Sequence, residues 1–238
     1  AKFLPNCIIF SDENNHASMI EGIRKGNSDK FIWKHNDVDH LEHLLKNADK
    51  NHPKIVAFES VYSMDGDFAP IKKILEVSKK YNALTYLDEV HGVGLYGKNG
   101  GGLSEQLGLT SEIDIIEGTL AKGFGLMGGY ITAKYNIIDV IRSFAPGFIF
   151  TTSLPPSLAA AAVASIRYVK NNYSLREALY DRANKLKKLM LAKNLPIIKN
   201  NSHIVPLLVK DPGRCKEISD ILLNDYSIYV QPINYPTV

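Results

Sequence analysis

Over its first two thirds the chain alternates short apolar runs with stretches whose apolar positions recur every three or four residues. "IIF" near the start is followed by the helix-like "HASMIEGIRKG". "FIW" leads into "DVDHLEHLLKNA", where Val38, Leu41, Leu44 and Leu45 share one helical face. "KIVAFES" precedes "APIKKILEVSKKYN", in which Pro70 suits a first helical turn. "ALTYLDEVH", "DIIEGTL" and "GGYITA" read as three more strands. Strands alternating with helices predict an α/β fold built on a mostly parallel sheet.

The texture changes at Pro155. "PPSLAAAAVASIRYVKNN" and "SLREALYDRANKLKKLMLAKN" read as long helices parted near residues 171–174. "HIVPLLV" then reads as a strand, "GRCKEISDILLNDY" as a helix and "SIYVQP" as a strand. The pattern predicts a large domain over residues 1–170 and the start of a smaller α+β domain over 171–238. Both ends fall in apolar stretches, "AKFLPNCIIFSD" and "YVQPINYPTV", as expected of an internal segment of a longer polypeptide.

Composition narrows the class. The 238 residues are 45% apolar and 22% charged, an ordinary balance for a globular protein. A net charge of +3 gives no argument for nucleic acid. No apolar run is long enough for a membrane span. Cys7 and Cys215 form neither a disulfide framework nor a metal spacing, which points to a reducing compartment.

Several motifs compete for the chemistry. Gly92-x-Gly94-x-x-Gly97 and Gly123-x-Gly125-x-x-Gly128 both match the dinucleotide fingerprint, which requires a helix directly afterwards. The first is followed by "KNGGG" and the second by strand-like "GYITA", so neither context fits. "GTLAKGFG" is not a phosphate loop either: its lysine lacks the flanking Gly and Ser/Thr. Asp88 and His91 close an apolar strand, where ligands of open α/β sheets bind. Asp88 could equally cap a helix or form a salt bridge. A metal reading of Asp88, Glu89 and His91 lacks further ligands at diagnostic spacing.

Lys122 follows Asp88 after one more strand, in a run of small residues. That order suits pyridoxal phosphate, whose ring nitrogen needs an anionic partner and whose aldehyde needs a lysine amine. The small Ala121, Gly123 and Gly125 would leave room for the cofactor against the backbone.

"SDENNHASMIEGIR", "ESVYSMDGDFAPI", "YLDEVHGVGLYG", "GTLAKGFGLMGGYI" and "FIFTTSLPP" together resemble the α-oxoamine synthases, fold-type I enzymes that use pyridoxal phosphate. The resemblance covers essentially the whole chain. Within the family, "RSFAPGFIFTTSLPP", "SHIVPLLVKDP" and "YSIYVQPINYPTV" are most similar to the branch that condenses glycine with succinyl-coenzyme A on the way to haem.

The resemblance implies a role for each matching residue. Lys122 would hold the cofactor's aldehyde and serve as acid and base. Asp88 would pair with the ring nitrogen, His91 with the ring oxygen, and His16 would stack on the ring. Ser63 and Thr119 would line the cofactor site, Thr119 near the phosphate. Thr151 and Thr152 would reach the phosphate held by a second subunit, making a homodimer with shared sites. Ser11 and Lys30 would contact substrate, Lys30 on the coenzyme A side. No nucleic acid, membrane or metal is implied. The implied location is bacterial cytoplasm, with the mitochondrial matrix as the alternative.

Structural readings stand beside these. His16 could simply open a helix, Ser63 cap a turn, and Thr151 and Thr152 end a strand; Lys30 could be a solvated charge. A sister synthase (2-amino-3-ketobutyrate coenzyme A ligase or 8-amino-7-oxononanoate synthase) and a non-catalytic remnant or binding module remain open, with a nicotinamide-dependent dehydrogenase more remote. The family also carries a glycine-rich stretch before this region and a carboxylate-gripping arginine after it, neither of which lies in this sequence.

Overall fold

The structure, a computed structural model, describes residues 4–235 and 237. Six strands form one sheet in the order β2-β1-β3-β4-β5-β6: β1 (Ile8–Asp12), β2 (Asp29–Trp33), β3 (Lys54–Glu59), β4 (Ala83–Asp88), β5 (Ile115–Thr119) and β6 (Gly129–Ala133). The first five are mutually parallel and β6 runs antiparallel to β5. Parallel neighbours need crossover connections. Helices α1 (Ala17–Arg24), α2 (Val38–Asn47) and α3 (Ile71–Lys80) supply three of them.

β1 and β3 are buried along their whole length, as the uninterrupted apolar runs of central parallel strands require. Leu41 and Leu45 of α2, and Ile71, Ile74 and Leu75 of α3, are the buried stripes of amphipathic helices. Asp37 opens α2 by accepting the His40 N–H at 2.9 Å. Strand order reverses between β1 and β3, so the carboxyl ends of β1, β3, β4 and β5 gather where such sheets bind ligands.

After β4 the chain turns through a glycine-rich loop to the short helix α4 (Leu103–Gln106). Glu89 organises this loop from a fully buried position, accepting from Ser60 Oγ (2.6 Å), Leu103 N–H (3.1 Å) and Ser104 N–H (2.6 Å). A Cβ at Gly92 would lie 1.9 Å from the Glu89 carboxylate, so only glycine fits there. Glu89 is thus committed to the loop, not to a metal. Beyond β6 come α5 (Tyr135–Phe144), α6 (Pro146–Ile149), α7 (Pro156–Asn171), α8 (Tyr173–Ala192) and α9 (Pro212–Tyr226). The break between α7 and α8 is the single residue Asn172.

The chain divides into two compact units, one of residues 4–62 and 68–178, the other of 63–67 and 179–235. In the second unit the expected strand "HIVPLLV" is only one antiparallel bridge, Ile197↔Leu207. Its two flanking hydrogen bonds, Ile198 N–H to Pro206 O and Leu208 N–H to Pro196 O, are both 2.9 Å. Pro196 and Pro206 have no N–H to extend that ladder. The expected strand "SIYVQP" is irregular and begins with Ser227, whose φ of 56° ends α9. The first unit brings a third correction. The "FIF" run, with the composition of a strand, is not one: Phe148 and Ile149 belong to α6, which Pro146 starts at its first position.

Candidate active site

A cleft opens at the carboxyl ends of β3, β4 and β5. His16, Ser18, Glu59, Asp88, Val90, His91, Glu117, Gly118, Thr119, Lys122 and Gly129 line it. Sheet register explains how the acids meet. Glu59 of β3 is paired with Asp88 of β4, and Asp88 with Glu117 of β5. Residues in register share a face, and neighbouring strands lie about 4.8 Å apart. Three carboxyl groups therefore stand in one row.

Their environments differ. Asp88 is buried and its Oδ1 accepts the Val90 N–H at 2.7 Å. Burial pushes its pKa up to about 6; the Val90 bond opposes the rise and the Glu117 charge adds to it. Burial, then the Asp88 charge, pushes Glu59 up to about 8. Glu117 accepts a hydrogen bond from the Tyr86 hydroxyl.

Lys122 lies in the turn between β5 and β6, with its Nζ 2.9 Å from His91 Nε2. Burial pulls the lysine below the ordinary range, while Asp88 and Glu59 pull the other way. An amine with a lowered pKa, an imidazole in contact and a buried carboxylate in the same cleft make a set suited to nucleophilic and proton-transfer chemistry.

Thr119, the last residue of β5, donates from Oγ1 to Gly128 O (3.2 Å) and accepts the Ala121 N–H (3.0 Å). This pins the two ends of the lysine turn. Gly123 does not leave room for a ligand as its size suggests. A Cβ there would meet Val93 O at 2.7 Å, so backbone occupies the space. Gly125, at φ 68°, has nothing within 4 Å of its missing Cβ.

His16 both opens α1 and lines the cleft. Its Nδ1 accepts the Ser18 N–H at 3.2 Å and lies 2.8 Å from Ser18 Oγ. Ser11 is buried, donating to Asp12 O and accepting from Asn15 Nδ2, and does not line the cleft. Lys30 is exposed on β2, opposite Ile9. Thr151 and Thr152 are exposed between α6 and α7, outside any strand. Ser63 belongs to the segment 63–67 of the second unit.

The cleft therefore joins Lys122, Asp88, His91, His16 and Thr119. It adds Glu59 and Glu117, which the sequence pattern does not single out by itself. A signal for them exists: both are acids in the last three residues of an apolar strand, the rule that marks Asp88. Both glycine fingerprints fail structurally, since Gly128 runs into β6 and Gly97 into a loop.

The mostly parallel sheet with a lysine, a histidine and an aspartate at its carboxyl edge matches the fold class of pyridoxal-phosphate enzymes. Serine palmitoyltransferase, in a structure titled as carrying pyridoxal phosphate, matches at a TM-score of 0.93 and 33% identity, over 98% of this chain and 58% of that one. The 8-amino-7-oxononanoate synthase of Francisella tularensis matches at 0.82 and 26% identity, over 99% and 68%. The chain belongs to the aminotransferase class I and II family, which matches residues 1–238. It is 55% identical over all 238 residues to the 5-aminolevulinate synthases of Bradyrhizobium diazoefficiens and Rickettsia prowazekii. The chain spans 58% of the length of each.

Proposed function

We propose that this chain is the cofactor-binding part of a 5-aminolevulinate synthase, which condenses glycine with succinyl-coenzyme A to 5-aminolevulinate, coenzyme A and carbon dioxide. The observation that carries the reading is the Lys122–His91 contact beside buried Asp88 in one cleft. The 55% identity to 5-aminolevulinate synthases favours glycine and succinyl-coenzyme A over the substrates of sister synthases.

The donor set fits pyridoxal phosphate. A buried carboxylate is stabilised by a cationic partner, which a protonated ring nitrogen supplies at Asp88. Lys122 would hold the aldehyde, His91 the ring oxygen, His16 the ring face, and Thr119 the remaining polar edge. When bound, the cofactor supplies an electron sink for the pair left at glycine Cα. Once the amine of glycine has displaced it from the aldehyde, the freed Lys122 Nζ would take the Cα proton and return it, its basicity tuned by burial against the Asp88 and Glu59 charges. Asp88 would keep the ring nitrogen protonated through its charge. Ser11 and Lys30 are read as substrate contacts, Lys30 towards coenzyme A.

The assembly is read as a homodimer in which Thr151 and Thr152 serve the partner's phosphate. Exposed Phe144, Phe148 and Phe150 beside exposed Thr151 and Thr152 support that face as the contact. Residues 1–170 are read as the large domain and 171–238 as the start of the small one. Among the described residues no helix is long and apolar enough to cross a membrane; the bacterial cytoplasm is the proposed location.

The test is borohydride reduction of the purified full-length protein with pyridoxal phosphate, then peptide mapping. A pyridoxyl group on Lys122, and 5-aminolevulinate formed from glycine and succinyl-coenzyme A, are expected. A label on another lysine, or turnover only with a different acyl-coenzyme A, would overturn the respective part.

A further inference from the structure

Glu59 is unusual among the cleft residues. It ends β3 with only 4% of its surface exposed, yet its Oε1 accepts the backbone N–H of His16, an exposed residue, at 2.5 Å. Across the sheet it is in register with Asp88, and both line the cleft. Two ionised carboxylates so close repel strongly in a poorly solvated site. An acid kept there needs a task that hydrophobic packing cannot perform.

His16 indicates that task. It is the N-cap residue of α1 and lines the cleft. The ring is tied at Nδ1 by the Ser18 N–H, and the backbone beneath it by Glu59. Asn15, one residue earlier, donates from Nδ2 to Ala57 O at 2.8 Å, so the same turn is fastened twice to β3. A flat side chain held this way presents a fixed face.

We propose that Glu59 is a positioning residue of this cleft, its carboxyl latching the His16 backbone so that the imidazole is set against the bound cofactor ring. The inference rests on the pyridoxal-phosphate reading above. A neutral carboxyl is sufficient for the latch, because the bond needs only an acceptor oxygen. Glutamine therefore preserves it and leucine removes it.

The experiment measures pyridoxal-phosphate retention by the full-length protein through its visible absorption, near pH 7. Glu59→Gln should stay within about threefold of the wild type, and Glu59→Leu should bind about tenfold or more weakly, the size of one lost hydrogen bond to a buried group. In a His16→Ala background, Glu59→Leu should add no further loss, since the latch then has nothing to place. A leucine variant that binds like the wild type overturns the proposal. So does a glutamine variant as weak as the leucine one, or a full additional loss without His16. Hydrogen exchange at the His16 amide of the wild type is the second measurement, and it survives a misfolded variant. Protection is expected, and exchange at the rate of an open amide overturns the latch. If the wild type takes up no pyridoxal phosphate, the cofactor reading fails. The exchange result then still decides the latch: the His16 amide should be protected in the wild type and in Glu59→Gln and exchange faster in Glu59→Leu.

Discussion

Glu59 and Asp88 in the first unit are buried and His203 in the second is half-buried, and desolvation moves these titratable groups in opposite senses. The carboxyls are pushed up, to about 8 and about 6. His203 is pushed down to about 4 by burial, with the Lys187 charge adding to the effect. Desolvation disfavours whichever form is charged, so an acid holds its proton and a base gives it up. The first unit concentrates these groups where the protonated ring nitrogen of the cofactor would compensate the Asp88 charge. In the second unit Lys187 is committed to structure: its Nζ donates to Asn200 Oδ1 (2.8 Å), Asn200 O (3.1 Å) and Ser202 O (2.5 Å). Similar physics thus yields a reactive cleft in one unit and a fixed loop in the other.

Removing the chemistry should break this contrast most severely. Lys122→Ala is expected to abolish turnover while leaving the fold intact, because one amine serves both as anchor and as proton carrier. Activity assays on folded variant, checked by circular dichroism, decide it; measurable wild-type-like turnover would remove Lys122 from the mechanism. Asp88→Asn comes next. A neutral amide cannot keep a ring nitrogen protonated, so a rate loss of about a hundredfold or more is expected at unchanged fold. Near-normal turnover would put the anionic role elsewhere.

The sheet unit is largely legible in the amino-acid pattern. All six strands are readable from apolar runs, most plainly β1 and β3, because central parallel strands are buried on both faces and their sequences say so; β2 and β6, largely exposed at the sheet edges, are marked by their place in the strand–helix alternation and by flanking turns. Asp88 and Lys122 are legible because an acid at a strand end and a lysine among glycines are chemically odd. Glu59 and Glu117 obey the same rule but do not stand out, since register across three strands is a tertiary fact. The second unit is harder to read. "HIVPLLV" has the composition of a strand, but a strand is a pairing, and Pro196 and Pro206 limit that pairing to one bridge. "FIF" shows the same ambiguity at shorter length: Pro146 starts a helical turn there.

Glu59→Gln sharpens the comparison by removing a proton site without removing an acceptor. In the folded protein Glu59 holds its proton up to about 8, against a reference of 4.5. The sign follows: its contribution to stability is fully present below pH ~4.5 and is lost as pH rises through ~8. The loss is at most about 5 kcal/mol across that window. The cofactor-free variant should therefore show a flatter decline of stability between pH 5 and 8 than the wild type, in urea unfolding followed at each pH. Parallel curves would mean that Glu59 is ionised in the folded state.

The smallest effect is expected from His203→Gln, and it should have the opposite sign of pH dependence in the other unit. His203 is neutral when folded until about pH 4, whereas the unfolded chain takes up the proton near 6.5. Its contribution is present above pH ~6.5 and is lost as pH falls through ~4, by at most ~3 kcal/mol. Hydrogen exchange separates the units, since amides report the opening of their own neighbourhood. Between pH 6.5 and 4, protection in the turn of α8 that carries Lys187 should weaken in the wild type and weaken less in His203→Gln, while β3 and β4 should respond alike in both proteins. Carboxylates that protonate in the same range affect both proteins equally, so the difference between variants carries the result. Equal acid sensitivity of that α8 turn with and without the imidazole would show that His203 is protonated in place, and the opposition between the two units would then rest on the carboxyl row alone.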